Sequence, residues 1–389
     1  MILQQLIPAD KGRGEPVNVR ISSGTISAVS AAPILPGVTG PLRLHFEDAL
    51  VFPGLINSHD HLDFNLFPQL GSQFYRSYTE WGKHIHTHHK EEIARVLKVP
   101  LVLREQWGVL KNLVCGVTTV VNHGAPVTLQ ERLISINEHY HCLHSIQFEQ
   151  QWKLKLNNPA KLGRPVVIHV GEGTNEAASQ EIDQLTRWNL LGKPLIGVHA
   201  VAMSEAQARK FEAIVWCPQS NYFLLDETAP VDQLQKHTRV LFGTDSTLTS
   251  HWDIWEHIRT ARATGLLADM ELYQTLNANP AAIWRTQNDR IQPGYKADLV
   301  VSKRKDPESG IASFFANGPE DLLLVVHQGN IRLFDESLLP QLNTMDLAGF
   351  SRIHINGARK YVQADVPALI RNIRHYYPEA PFPFTADEP

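Results

Sequence analysis

The stretch PGLINSHDHLDF, residues 53–64, places His59 and His61 one residue apart just after an apolar run and a Pro-Gly step. Residues i and i+2 of a strand project to the same side. The chain therefore sets two imidazoles side by side at the end of a hydrophobic strand. An isolated His-x-His of this kind is often only a polar strand end with its rings hydrogen-bonded, so the rest of the chain has to decide its meaning.

The 389 residues are 43% hydrophobic and 20% charged, with a formal net charge of −4. This is the composition of an ordinary globular protein, long enough for one large barrel and a smaller unit. No basic stripe points to nucleic acid, and no apolar run has the length of a membrane span. The three cysteines, Cys115, Cys142 and Cys217, are too few and too scattered for a disulfide framework. MILQQLIPADKGRGEP lacks the basic start and long apolar run of a signal peptide, which makes a cytoplasmic location the expectation. A small-molecule substrate is the expected partner, without nucleic acid or membrane. Assembly as a homo-oligomer is left open.

Outward from the His-x-His, the pattern is that of a parallel α/β core. Residues 1–50 and 290–335 read as short β runs punctuated by Gly, Pro and Ser. Between them apolar strands alternate with helices, the order that predicts a parallel sheet. Seven strands are expected near 51–58, 117–122, 142–148, 165–170, 195–199, 212–217 and 240–244, with an eighth somewhere between 123 and 165. Several end in a polar residue, as a (β/α)8 barrel active site requires: His169 in VVIHV, His199 in PLIGVHA and Asp245 in RVLFGTDS. The fold class expected is thus α/β, a (β/α)8 TIM-type barrel over residues 51–289. A small β-sandwich domain comes from the flanks 1–50 and 290–335. The tail, 336–389, contains an amphipathic helix in DVPALIRNIRHYYP and is expected to lie on the barrel.

Neutral imidazoles and a carboxylate suit a borderline divalent cation such as zinc. His59 and His61 supply two nitrogens, His169 can add a third and Asp245 an oxygen. Glu172, three residues past His169 in HVGEG, can reach a water at such a centre and move its proton. An exposed loop acid is the plainer alternative, and Glu176 is a second candidate. His199 can polarise a substrate or hold the water.

PGLINSHDH, HVGEG, GVHA, CPQSN, FGTDS and ANPAAIWR occur in the order seen in the amidohydrolase superfamily, and most resemble its branch of cytosine, guanine and triazine deaminases and hydrolases. TEWGKHI, GYKADLVV and VVHQGNIRL extend the resemblance over roughly residues 50 to 335. It implies that His59, His61, His169 and Asp245 bind one divalent cation, zinc first and iron as the alternative. It also implies that Glu172, His199 and Asp245 act on water and substrate. Binuclear members carry a carboxylated lysine on the fourth strand. HCLHSIQFEQ offers none, and Lys153 and Lys155 fall beyond it, which favours a single cation.

The chain departs from the family pattern around 123–165, where it is short, and at Gln219, where relatives often carry a basic residue. Trp81, Gln219 and Asn221 are the candidate substrate contacts, with Phe64, Phe67, Tyr75 and Trp252 as further aromatic surfaces. His84, His86, His88 and His89 read as a solvated helix, Cys217 as a buried thiol, and His123 and His144 as pocket-lining at most. The resemblance implies hydrolytic deamination of an aminated pyrimidine, purine, pterin or triazine. Hydrolysis of a cyclic or linear amide on the same residues is the alternative.

Overall fold

A computed structural model describes residues 1–11, 14–34, 42–129 and 132–387. Four strands open the chain: β1 (Ile2–Pro8), β2 (Val17–Ser22), β3 (Thr25–Ser30) and β4 (Arg43–Pro53). Gly54 then turns the chain directly into the next strand. A side chain there would collide with Thr118, so glycine is what lets the two sheets meet at this point.

Eight strands follow: β5 (Leu55–Asp60), β6 (Val117–Asn122), β7 (Ser135–Asn137), β8 (His141–Ser145), β9 (Val166–Val170), β10 (Leu195–His199), β11 (Ala213–Trp216) and β12 (Arg239–Phe242). Every pairing among them is parallel, in a three-stranded sheet β5-β6-β7 and a five-stranded sheet β8 through β12. Strands β5, β6, β9, β10 and β11 are buried at every position, as parallel strands covered on both faces must be.

The two parallel sheets join where β12 ends. Thr244 N and Asp245 N both donate to His59 O, each at 3.0 Å, and Asp60 bridges Asp245 in parallel register. Gly243 makes this approach possible, since a Cβ there would stand 2.8 Å from the Cβ of His59. The strand order is the chain order, but among the described residues no ladder links β7 to β8. The eighth strand expected between 123 and 165 is β7, which is only three residues long. Inside the strands, Ile56, Val121, Val167, Ile196, Val215 and Leu241 share one apolar cluster with Ala281, Ile283 and Trp284.

The chain closes with β13 (Leu299–Lys303), β14 (Leu322–His327), β15 (Asn330–Asp335), β16 (Ser351–Ile355), β17 (Ala358–Val362) and β18 (Thr385–Ala386). With β1 to β4 they make a ten-stranded mixed sheet. The hydrogen bonds run continuously through it, with β4 pairing with β1 on one edge and with β13 on the other. One side of it buries Leu3, Leu6, Val19, Leu44, Leu299 and Leu324 in a cluster of their own. The tail adds three strands to this sheet as well as the amphipathic helix Val366–Tyr376, and beyond that helix Phe382 and Phe384 pack on Trp107, at 4.8 and 5.3 Å between ring centres.

Three helices lie between β5 and β6: α1 (Tyr78–His88), α2 (Lys90–Leu97) and α3 (Leu101–Val114). No helix among the described residues is long and apolar enough to cross a membrane.

Candidate metal centre and active site

His59 and His61 stand at the C-terminal end of β5, their ring centres 5.0 Å apart. Asp60, between them, points the opposite way, as strand alternation requires. Its carboxylate accepts from Asn65 Nδ2 and Asn112 Nδ2, both at 2.7 Å, and lies 3.0 Å from Lys111 Nζ. The two histidines are thus held from behind by a buried polar network.

His169 ends β9. Its Nδ1 lies 2.8 Å from the carbonyl oxygen of His144, so that nitrogen carries the proton and Nε2 keeps its lone pair. That Nε2 faces His59 Nε2 at 3.2 Å. Asp245 follows β12 in the left-handed region, φ 59°, a conformation that non-glycine residues adopt rarely and often at functional sites. Its Oδ2 accepts from the hydroxyls of Ser220 and Thr249, both at 2.8 Å, while Oδ1 lies 3.7 Å from His59 Nε2 and 3.6 Å from His61 Nε2. One oxygen is anchored and the other is turned to the histidines.

The electrostatics match a cation. Burial first, then the neighbouring His59, lowers the pKa of His61 to about 3. Burial also lowers His169 well below the ordinary histidine value, followed by His123 and His59. Burial alone would raise Asp245, but His59 and His61 outweigh it and hold the carboxyl far below the usual range. Burial thus favours uncharged His61 and His169 rings beside an ionised Asp245 carboxylate. Donor atoms of His59, His61 and Asp245 lie within 4.8 Å of one another, as do those of His59, His123 and His169. This nitrogen and oxygen set fits one divalent cation, zinc among the candidates. Sequence reasoning gave His123 no place in it; the one available signal was its position at the end of GVTTVVN.

Glu172 lies in the loop after β9 and is 5% exposed. Its Oε2 is 3.5 Å from His199 Nε2. Burial raises its pKa well above the usual carboxylate value, with Asp245 and Glu181 adding to the effect. The loop is held from outside: Glu181 accepts from Gly171 N at 3.3 Å and from Tyr78 Oη at 3.2 Å, and Tyr78 N donates to Glu172 O at 3.1 Å. His199, also in the left-handed region at φ 72°, faces Asn221 Nδ2 with its Nδ1 at 2.9 Å. The amide donates, which leaves the ring proton on Nε2, toward Glu172.

These groups form the floor of a cavity of about 600 Å3, whose apolar walls include Phe64, Phe67, Trp81, Phe148 and Leu224. Trp81 stands where the sequence expects a substrate contact, with its indole nitrogen satisfied by Leu70 O at 2.7 Å. Asn221 is fully buried behind His199 and positions that ring rather than lining the cavity. Gln219 is turned away altogether. Its amide bonds to Thr260 Oγ1 and to His251 N, both at 3.1 Å, because Pro218 opens a helix whose register points this side chain at helix Ile254–Ala263. His86 and His144 reach the cavity wall, whereas His84 and His88 stack on each other at 4.3 Å on the exposed face of α1.

Residues 149–332 match the amidohydrolase family. A 5-methylthioadenosine/S-adenosylhomocysteine deaminase of Pyrococcus furiosus is 26% identical over 189 residues, 42% of this chain and 43% of that protein, so the match spans under half of the relative's length. Among solved structures, an adenosine deaminase from Xanthomonas campestris with bound zinc aligns at a TM-score of 0.69, with 18% identity over 97% of this chain and 98% of that one. Atrazine chlorohydrolase from Arthrobacter aurescens, complexed with zinc, aligns at 0.66, with 14% identity over 97% and 100%. At these identities the two structures establish the fold. The family match thus covers residues 149–332, and the likeness of fold extends over nearly the whole chain.

Proposed function

We propose that the chain is a metal-dependent hydrolase of carbon–nitrogen bonds other than peptide bonds, and that it deaminates an aminated N-heterocycle of pyrimidine, purine, pterin or triazine type. The observation that carries this reading is a buried Glu172 carboxyl 3.5 Å from His199 on the floor of an apolar cavity that His61, His169 and Asp245 also line. The likeness to deaminases and a triazine-acting hydrolase points the same way.

His59, His61, His169 and Asp245 would hold the cation, which when bound supplies a water acidified enough to attack at neutral pH. The rest of the chemistry belongs to the protein. Asp245 keeps Oδ1 toward the histidines because Ser220 and Thr249 fix Oδ2, so this oxygen can both ligate and accept from the attacking water. Glu172 gives its proton to the ring nitrogen beside the attacked carbon. The carboxylate so formed takes one proton from the water and passes it to the departing amine, then takes the second as the ring carbonyl forms, so that ammonia leaves and Glu172 carries its proton again. His199, with its proton on Nε2, stabilises charge developing on the substrate. Trp81 and the phenylalanines supply flat apolar walls for a ring.

The same reading organises the chain as a (β/α)8 barrel over 51–289 with a composite β-domain from 1–50 and 290–335 and an extension over 336–389. The strand order β5 to β12 and the β4–β13 pairing support it. A cytoplasmic setting is supported by three scattered free cysteines. The test is an ammonia-release screen over aminated heterocycles, run beside acyl-amino acids and cyclic imides. Turnover of the acyl or imide compounds alone, with no ammonia from any heterocycle, would overturn deamination in favour of amide hydrolysis.

A further inference from the structure

We propose that His123 is a fifth protein ligand of the cation, making the centre four imidazoles and one carboxylate. The inference rests on the metal-centre reading above and adds a position that the superfamily motifs in this sequence do not include.

His123 follows β6 directly, and its backbone N–H donates to Asp60 O at 2.8 Å, so it is pinned to the strand that carries His59 and His61. Its ring centre lies 5.0 Å from that of His59, 5.3 Å from His61 and 4.3 Å from His169. The other three rings stand 4.9 to 5.4 Å from one another. By ring-centre distance, His123 stands as close to His59 and His169 as His61 does. His199 stands slightly farther out, 5.9 Å from His59.

Hydrogen bonding sets His123 apart from the other rings of the cluster. It is 1% exposed, and neither of its ring nitrogens has a hydrogen-bond partner. His169 and His199 each have one nitrogen tied, to a carbonyl and to an amide. Burying a polar ring with both nitrogens unused is costly, and native proteins seldom tolerate it without a further partner. A substrate is not that partner, because His123 does not line the cavity, whereas His61, His169 and His199 do. What it faces is the cluster itself: donor atoms of His59, His123 and His169 fall within 4.8 Å of one another. Five protein donors exceed the four of a tetrahedral structural zinc site and leave room for water only in a centre of higher coordination number.

The test uses metal-free full-length protein labelled with 15N in its histidine rings and titrated with zinc. The His123 signals are identified as those missing from His123→Gln, or from His123→Asn should the first variant not fold. Four histidines, His123 included, are expected to show one ring nitrogen shifted by coordination. Zinc affinity of the variant, read by chelator competition, is expected to fall at least by the roughly 10–100-fold that losing an outer partner already costs. Coordination shifts confined to His59, His61 and His169, or an unchanged affinity, overturn the proposal and leave the centre as first drawn. No zinc binding by the wild-type protein overturns the metal-centre reading itself.

Discussion

Lys111 Nζ lies 3.0 Å from Asp60 Oδ2, with both side chains out of solvent, directly behind the two histidines of the His-Asp-His motif. Asp60 also accepts from three asparagine amides, those of Asn57, Asn65 and Asn112. The pair thus anchors the strand end that presents His59 and His61. Removing one partner of a buried pair strands the other charge, which costs about 3–5 kcal/mol. Lys111→Met should lower unfolding stability by that amount in a urea titration. A midpoint equal to the wild type's would show that the asparagines alone satisfy Asp60.

Chelation should act on stability as well as on activity. A ligand that binds only the folded state stabilises it by about 4 kcal/mol at a thousand times its dissociation constant. The zinc-loaded protein should therefore melt well above the metal-free form. Elemental analysis should give one divalent cation per chain, and His59→Ala or Asp245→Ala should carry almost none. Two cations per chain would contradict the single-centre reading.

Glu172→Gln should separate proton transfer from metal binding. The amide keeps the shape but neither donates nor recovers a proton, and such groups contribute on the order of 10²–10⁴ in rate. Turnover should fall by that factor while zinc content holds. Loss of zinc would instead make Glu172 a ligand, and retained turnover would move the proton transfer to another group.

Glu181 should leave a mark on the pH dependence of stability. Burial raises its pKa from the ordinary 4.5 to about 7. The unfolded chain gives up this proton from about pH 4.5, whereas the folded chain keeps it to about pH 7. Unfolding in that window releases a proton, so stability falls as pH rises through it and levels off above it. Raising the pKa from 4.5 to about 7 corresponds to about 3 kcal/mol. Glu181→Gln, which can still accept from Gly171 N, should lack this slope. Denaturation midpoints of the two proteins across pH 4 to 8 would test it, and parallel curves would contradict the assignment.

Much of the candidate site was legible along the chain, and the reason is local. Strand alternation puts His59 and His61 on one side, and the ends of apolar runs mark His169, His199 and Asp245 as residues at one rim of a parallel sheet. Glu172 is read from its three-residue distance to His169. The eighth strand was not legible, because three residues are too short a run to show a two-residue alternation.

Other features depended on tertiary structure because they join residues far apart in sequence. Gln219 has the right neighbours in CPQSN, yet its helix turns it toward Thr260, 41 residues on. Asn221 acts through His199, 22 residues before it. Lys111 meets Asp60 only because α3 packs beneath β5. His123 is an unremarkable strand-end histidine until the fold brings its ring to 4.3 Å from that of His169 and leaves both its nitrogens without a partner. The sequence alone determined which residue types reach the strand ends, since backbone periodicity sets that residue by residue. Which of them converge on one point was decided only where β12 closes on β5, because strand order and helix register depend on contacts across the whole chain.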